Sequence, residues 1–184
     1  AALDLSGQGR TLTNNGAVGR SVLASGLPYA AMNTANYFTR ADEAGLDITG
    51  ALTLGGWFRL TAPRAQYDSM FGKWFPYGLI SYNAYTAFYI NPGSGDISTP
   101  YISIPVNTWN FVIGRYQPSV AITICINGVN TNNTTAIPAA LNNTTSQLTM
   151  LVMGDVALPF ICASALPDAT VSQLYSATRG LFGV

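Results

Sequence analysis

The chain has 184 residues and carries 8 basic and 8 acidic side chains, so its formal net charge is zero. Charged residues make up 9% of the sequence, whereas about 25% is usual for globular proteins. Zero net charge argues against binding to nucleic acid or to anionic membrane surfaces, which require basic patches. No His is present, which excludes Ser-His-Asp and Cys-His catalysis and any zinc site that needs imidazole.

Length and hydropathy predict a single folded unit. No apolar run approaches the length of about 18 residues that predicts a membrane span, and no signal-peptide pattern opens the chain. We expect one domain over residues 1–184, because the chain is long enough for a sizeable core and contains no linker or internal repeat. Cys125 and Cys162 lie in apolar segments, which favours buried free thiols over a disulfide bridge.

The first 60 residues predict short strands separated by turns. Glycine and asparagine turn signals surround a Leu/Thr strand in residues 3–20. A glycine-rich phosphate loop is the alternative there, but no helix pattern follows it. Tyr37–Thr39 predicts a short strand, and residues 41–45 predict a polar turn that holds Asp42 and Glu43. The next strand contains Gly55-Gly56, a pair typical of a bulge or a close backbone approach.

Residues 67–104 are rich in aromatic side chains, which alternate with small residues as in a meander of strands. One interpretation is a platform for sugars, because the C–H face of a pyranose packs on an aromatic ring while its hydroxyls bind nearby amides. The other is ordinary sheet packing with a tyrosine-rich surface. The candidate residues for sugar stacking are Trp74, Tyr77, Tyr82, Asn83 and Tyr85.

Residues 102–129 predict a long antiparallel hairpin. Two apolar runs, 109–116 and 120–126, flank the short loop Gln117-Pro118-Ser119. Asn127-Gly128 then predicts a turn, because both residues accept positive φ at low cost. Alternation places these residues on shared faces: Trp109, Phe111 and Ile113 in the first strand, and Val120, Ile122, Ile124 and Ile126 in the second.

The last third predicts a loop, two strands and a helix. Residues 130–147 are rich in Asn and Thr and contain sequons at Asn132, Asn133, Asn142 and Asn143, which we interpret as solvated loop positions. Residues 148–163 predict two strands around Gly154-Asp155. Val171, Leu174 and Tyr175 then recur at helical spacing and are expected to dock a helix that starts near Pro167 and stops at Gly180.

Several segments, taken in order, resemble the concanavalin A-like lectin/glucanase superfamily, and its laminin-G-like branch in particular. The resemblance implies a jelly-roll β-sandwich of two antiparallel sheets with one short C-terminal helix. Within that fold we expect Trp57 and Trp109 to be buried between the sheets. The matching segments are 4–16, 46–58, Lys73-Trp74, Ile104-Pro105, Trp109, Val112, Tyr116, 122–129, Ala165-Leu166, Asp168-Ala169, Val171 and Leu174-Tyr175.

Catalysis and metal binding are not expected from the acidic residues. Glucanases of this superfamily carry paired carboxylates on one strand, but here Glu43 is the sole Glu and lies beside Asp42 in a turn. We therefore predict a non-catalytic protein without a cofactor. Relatives that bind calcium use several carboxylates, and the candidate ligands in this chain are scattered: Asp68, Asp96 and Asp155.

The resemblance and the charge-poor composition favour a lectin-like surface module. One hypothesis places it on a phage virion as a decoration or fibre protein that binds cell-surface glycans. Two alternatives stay open: a structural decoration protein of a capsid or tail, and a secreted carbohydrate-binding accessory module. The expected partners are a virion or another large assembly and cell-surface glycans, without nucleic acid or membrane insertion. The expected location is the virion surface or the extracellular space.

Overall fold

The computed structural model of the protein describes residues 4–62 and 65–184. Within these ranges the chain forms fifteen strands, the helix α1 (Asp168–Thr178) and two short 3-10 turns, Ala44–Leu46 and Arg179–Phe182. The strands are β1 (Thr13–Asn15), β2 (Gly19–Val22), β3 (Pro28–Met32), β4 (Tyr37–Arg40), β5 (Leu52–Leu60), β6 (Asp68–Lys73), β7 (Tyr77–Tyr82), β8 (Tyr85–Ile90), β9 (Ile97–Ser98), β10 (Ile102–Ser103), β11 (Asn110–Gln117), β12 (Ala121–Ile126), β13 (Val129–Asn133), β14 (Leu148–Met150) and β15 (Gly154–Cys162).

The strands form two antiparallel sheets. The eight-stranded sheet has the order β1-β4-β14-β6-β7-β8-β10, with β9 also pairing with β8, and the seven-stranded sheet has the order β13-β12-β11-β5-β15-β3-β2. Adjacent strands within the described ranges run antiparallel to each other. The predicted all-β jelly-roll sandwich of two antiparallel sheets with one short C-terminal helix is therefore confirmed.

The main core lies between the two sheets. Val112 and Tyr116 of β11 and Ile122 and Ile124 of β12 point into it and are fully buried. The shared face of Ile122 and Ile124 is the one that alternation predicted. The sheets approach closely where β11 crosses β8, because a Cβ atom on Gly114 would lie 2.3 Å from the Phe88 ring. This glycine therefore sets the local spacing of the sandwich.

A second apolar cluster lies on the outer face of the seven-stranded sheet, beneath the C-terminal helix. Trp57, Trp109 and Phe111 pack there against Val171 of α1 and Phe182 of the final turn. The expectation that the two tryptophans lie between the sheets was wrong. Strands β5 and β11 are buried on both faces, so their pattern of apolar residues does not distinguish the inner face from the outer one.

The local turn predictions are largely confirmed. Asn127 and Gly128 adopt φ values of 51° and 86° and join β12 to β13. Opposite Gly56, strand β15 has a register shift, and a Cβ atom on Gly55 would lie 2.2 Å from the carbonyl oxygen of Val112. Val120 was assigned to the strand face, but it precedes β12 and is exposed.

The C-terminal helix starts after Pro167, as predicted, and Val171, Leu174 and Tyr175 join the outer cluster. Its predicted stop at Gly180 was wrong. The chain continues as a 3-10 turn through that residue, and Gly183 in the left-handed conformation ends it. Cys125 and Cys162 are both free thiols. No described helix is long and apolar enough to cross a membrane.

Candidate binding surface

Three tyrosines cluster at one end of the eight-stranded sheet and form what we call the tyrosine platform: Tyr67, Tyr82 and Tyr101. The rings of Tyr67 and Tyr82 are stacked with centroids 4.9 Å apart, and the Tyr101 ring lies 6.2 Å from that of Tyr67. Tyr67 is 57% exposed and Tyr101 40%. Tyr82 is half-buried. Contact among the rings fixes their positions, so Tyr67 and Tyr101 present aromatic surface to solvent without needing to reorganise.

Strand register brings the platform together. Tyr67 precedes β6 and Tyr82 ends β7, and the neighbouring pair Asp68 and Ser81 are direct partners across these two strands. Tyr101 precedes β10, which pairs with the start of β8. The three rings therefore come from segments that are distant in sequence but end at the same edge of the molecule.

Beside the platform lies a shallow cleft of about 490 Å³. One wall is residues 98–101, which begin with the last residue of β9, and the other is residues 132–135, at the end of β13. The Asn133 side chain donates a hydrogen bond to the carbonyl oxygen of Ser98 at 2.9 Å, which joins the edges of the two sheets. Tyr101 belongs to both the cleft and the platform. Hydroxyls, amides and one aromatic ring thus line a continuous surface.

The chemistry of this surface is polar but uncharged. None of the described cleft-lining residues is ionisable except Tyr101. Partial burial, the neighbouring Tyr67 and the more distant Asp96 raise the pKa of Tyr101 to about 12. Its phenol is therefore neutral at physiological pH and can both donate and accept a hydrogen bond.

The structure divides the five residues predicted to stack sugars. Tyr82, Asn83 and Tyr85 lie together at the platform end, where Tyr82 and Tyr85 are cross-strand partners and Asn83 occupies the turn between them. Trp74 lies in the β6–β7 turn, at the other end of the six-residue strand β7. At about 3.3 Å per residue, that separation is roughly 17 Å. Trp74 instead packs edge to face against Phe75.

Tyr77 lies in the core and not at the surface, so its assignment to a stacking site was wrong. The side chain is fully buried, and its hydroxyl donates a hydrogen bond to the carbonyl oxygen of Leu46 at 2.7 Å. Tyr77 and Tyr82 are five residues apart on β7, and an odd separation places side chains on opposite faces of a strand. Tyr67 and Tyr101 were missed because nothing local in the sequence connects them to Tyr82.

The three candidate calcium ligands lie apart. Asp155 is buried and accepts a hydrogen bond from Nε of Arg59 at 2.6 Å. Asp96 accepts one from the Asn91 side chain at 2.8 Å, and Asp68 is buried beside Gln66. Across residues 4–62 and 65–184, no three acidic or Cys side chains form a group that could hold a metal ion.

The acidic turn before β5, residues 42–47, forms ion pairs with basic side chains. Fully buried Lys73 forms ion pairs with both Asp42 and Asp47. Glu43 binds Arg10 at 3.1 Å and Arg40 at 2.8 Å. Hydrogen bonds from Lys73 and Asn143 lower the pKa of Asp47. These carboxylates therefore anchor the turn to the eight-stranded sheet. The sequence identified Lys73 only by its resemblance to a family motif.

No protein-family model matches the sequence, and no curated protein matches it. Several solved structures are similar to this chain in fold. The receptor-binding domain of botulinum neurotoxin C/D mosaic serotype aligns with a TM-score of 0.81 and 10% identity over 96% of this chain and 48% of that one. The binding domain of Paraclostridial Mosquitocidal Protein 1 aligns with a TM-score of 0.78 and 12% identity, over 95% of this chain and 49% of its own.

The binding domain of botulinum neurotoxin DC, solved in complex with SialylT, aligns with a TM-score of 0.73 and 12% identity over 95% of this chain. This chain spans about half the length of each of these neighbours. At such low identity the likeness concerns the fold alone. The chain thus has the β-sandwich fold found in one part of several toxin binding domains.

Proposed function

We propose that this protein is a non-catalytic module that binds carbohydrate through the tyrosine platform and the adjoining cleft. The observation that carries the proposal is the stacked pair of Tyr67 and half-buried Tyr82, with exposed Tyr101 next to Tyr67, beside an uncharged polar cleft. Aromatic faces pack on the C–H faces of sugars, and the few polar groups around them fix orientation. Asn132 and Thr134 are exposed on the far wall and can meet sugar hydroxyls.

Two further observations support this proposal. Structural neighbours include a neurotoxin binding domain in complex with SialylT and one whose cell entry depends on interaction with two ganglioside molecules. The sequence also resembles laminin-G-like lectin domains over most of its length. Glycan-binding modules of this kind act outside cells, so we propose an extracellular or virion-surface location.

The test is a broad glycan array with purified protein. We expect Tyr67→Ala and Tyr101→Ala each to reduce binding at least tenfold, because each removes a ring face that a sugar would cover. Trp74→Ala is the matched control, since it removes an exposed aromatic ring at the opposite end of the sheet. Circular dichroism should show all three variants folded. Failure of the wild type to retain any glycan, or equal loss in Trp74→Ala, would refute the assignment.

A second role is favoured by the sheet edges. Strands β2 and β13 are the two edges of the seven-stranded sheet, and each exposes a valine, Val22 and Val129. Exposed edges offer unpaired backbone groups to another chain. We propose attachment to a larger assembly such as a virion as the alternative function. Co-sedimentation with particles should then be abolished by Val129→Lys, while Tyr67→Ala leaves it unchanged.

A further inference from the structure

A second pocket, separate from the tyrosine platform, lies where helix α1 starts on the outer face of the seven-stranded sheet. We call it the Arg115 pocket. Its volume of about 360 Å³ is in the range of small-ligand sites. Strands β11 and β12 form its floor, and residues 165–168 form its wall. We propose that the Arg115 pocket binds the carboxylate group of a small ligand, through the Arg115 guanidinium and the start of the helix.

The Arg115 side chain provides a buried cation with an unused donor. The side chain is 10% exposed, and its Nη2 forms an ion pair with Asp168. Its Nη1 donates a hydrogen bond to the carbonyl oxygen of Leu166 at 2.8 Å. The Nε–H group is buried and has no acceptor among the described residues. A buried donor without an acceptor costs free energy, so an acceptor that reached Nε would bind favourably.

The unused Nε–H group belongs to the edge of the guanidinium that recognises carboxylates. Nε and Nη2 donate in the same direction, so a carboxylate can accept one hydrogen bond from each with its two oxygens. Asp168 fills this fork at Nη2 and leaves Nε open. Its side chain is 71% exposed, so the ion pair is solvated on the carboxylate side and of modest strength. A carboxylate that occupied both donors would therefore displace Asp168.

The start of helix α1 adds a second feature that favours an anion. The helix has 11 residues, and its N-cap is Pro167, which makes no side-chain hydrogen bond to the first turn. The N–H groups of a first helical turn have no intrahelical acceptor and carry the positive end of the helix dipole. Pro167 and Asp168 both line the pocket. The positive end of the helix thus lies at the pocket, where it stabilises a negative charge.

The wall of the pocket is held independently of Asp168. Fully buried Thr53 accepts a hydrogen bond from the Leu166 N–H at 2.9 Å and donates one to the carbonyl oxygen of Ser164 at 2.7 Å. Together with the bond from the guanidinium Nη1, these contacts fix the chain before the helix on β5 and β11. The pocket should therefore keep its shape when Asp168 turns into solvent, and a preformed site binds at lower cost.

The polar groups around the fork suit a ligand that is larger than its carboxylate. Gln117 is exposed at the pocket, and Thr123 is the cross-strand partner of Arg115. Thr123 is also the partner of Asn132, which lines the cleft beside the platform. An amide and a hydroxyl can form hydrogen bonds with sugar hydroxyls. The carboxylate can thus belong to an acidic sugar or to a simple organic acid, and neither source requires that the platform bind sugar.

The experiment titrates the isotope-labelled full chain with glucuronate, glucose and acetate at constant ionic strength and follows its NMR spectrum. We expect glucuronate to shift the Arg115 Nε–H signal and the amide signals of residues 165–170 in a saturable way. Glucose lacks the carboxylate and should leave these signals unchanged, whereas acetate should shift them. Tighter binding of glucuronate than of acetate would support an acidic sugar as the source of the carboxylate, and equal binding would support a simple organic acid.

Three variants test the roles of the two charged residues. Arg115→Lys keeps the positive charge but removes the fork, so it should weaken glucuronate binding about tenfold. Asp168→Asn removes the competing carboxylate and should strengthen binding about two- to fivefold. Arg179→Lys is the matched control, because it makes the same exchange at an exposed position at the C-terminal end of the same helix. It should leave glucuronate binding unchanged.

Four results would overturn the inference. The first is the absence of a saturable shift in both the wild type and Asp168→Asn, and the second is an equal shift with glucose. The third is unchanged binding in a folded Arg115→Lys variant, and the fourth is equal weakening in Arg179→Lys. The glucose comparison and Asp168→Asn keep the test decisive if Arg115→Lys does not fold. The glycan array tests the platform separately, so either proposal can fail while the other stands.

Discussion

The ring of Trp57 stacks on the ring of Phe182, with centroids 4.1 Å apart and planes inclined by 14°. Trp57 lies in the middle of strand β5, and Phe182 is the third residue from the end of the chain. The contact attaches the C-terminal segment to the outer face of the seven-stranded sheet. It therefore makes the last turn of the chain a part of the core.

We expect Phe182→Ala to lower the free energy of unfolding by about 3–5 kcal/mol, the usual cost of removing a buried aromatic ring. Leu181→Ala is the control, because the side chain of this neighbouring residue is exposed. It should cost less than about 1 kcal/mol. Urea denaturation followed by tryptophan fluorescence measures both. Equal losses in the two variants would show that the ring stack contributes nothing particular to stability.

The two tryptophans of the outer cluster should respond differently to the same substitution. The indole N–H of Trp57 donates a hydrogen bond to Thr178 Oγ1 at 3.0 Å, whereas that of Trp109 is buried and has no partner among the described residues. Trp57→Phe should therefore cost about 1 kcal/mol more than Trp109→Phe, the net value of such a bond. Denaturant titration measures the loss of unfolding free energy in each variant. A larger loss in Trp109→Phe would contradict a stabilising role for the Trp57–Thr178 hydrogen bond.

Asn127 stabilises its turn in two ways that substitution can separate: by side-chain hydrogen bonds and by accepting a positive φ. Its side chain accepts a hydrogen bond from the Phe111 N–H at 2.9 Å and donates one to Asn110 Oδ1 at 3.1 Å. Asn127→Gly keeps the positive φ accessible and should cost about 1–2 kcal/mol for the lost hydrogen bonds. Asn127→Ala adds backbone strain of about 1 kcal/mol. In thermal unfolding, the midpoint temperature should be highest for the wild type, lower for Asn127→Gly and lowest for Asn127→Ala.

The ion pairs of Lys73 should make stability depend on acid pH. The pKa of Asp47 is lowered from its ordinary 3.8, chiefly by the hydrogen bond from Lys73. A carboxylate whose folded pKa is depressed contributes stability that is fully present above its unfolded pKa, about 3.9, and is lost as the pH falls through the folded pKa.

We therefore expect Lys73→Met to be clearly less stable than the wild type at pH 7, because two carboxylates lose their cation, and the difference to shrink below about pH 4. Arg20→Met removes an exposed basic residue on β2 and is the control. Urea midpoints at pH 7 and pH 3 measure the effect. A difference that stays constant between these pH values would contradict the role of the ion pairs.

The sequence by itself determined several of the strands, several turns and the start of the helix, but it predicted a loop where most of β13 lies. Alternation at Ile122 and Ile124 predicted an inward face, and the Asn127-Gly128 pair predicted a turn. These features depend on neighbours one to four residues away, because side-chain direction in a strand and positive φ in a turn are local properties. Pro167 marked the helix start for the same reason.

Only the tertiary structure decided which surfaces these elements share. It placed Trp57 and Trp109 beneath the helix rather than between the sheets, because a strand buried on both faces carries no local mark of which layer covers each face. It brought Tyr67 and Tyr101 to Tyr82 and left Trp74 at the far end. Such groupings depend on strand order and register between distant segments, which local patterns do not encode.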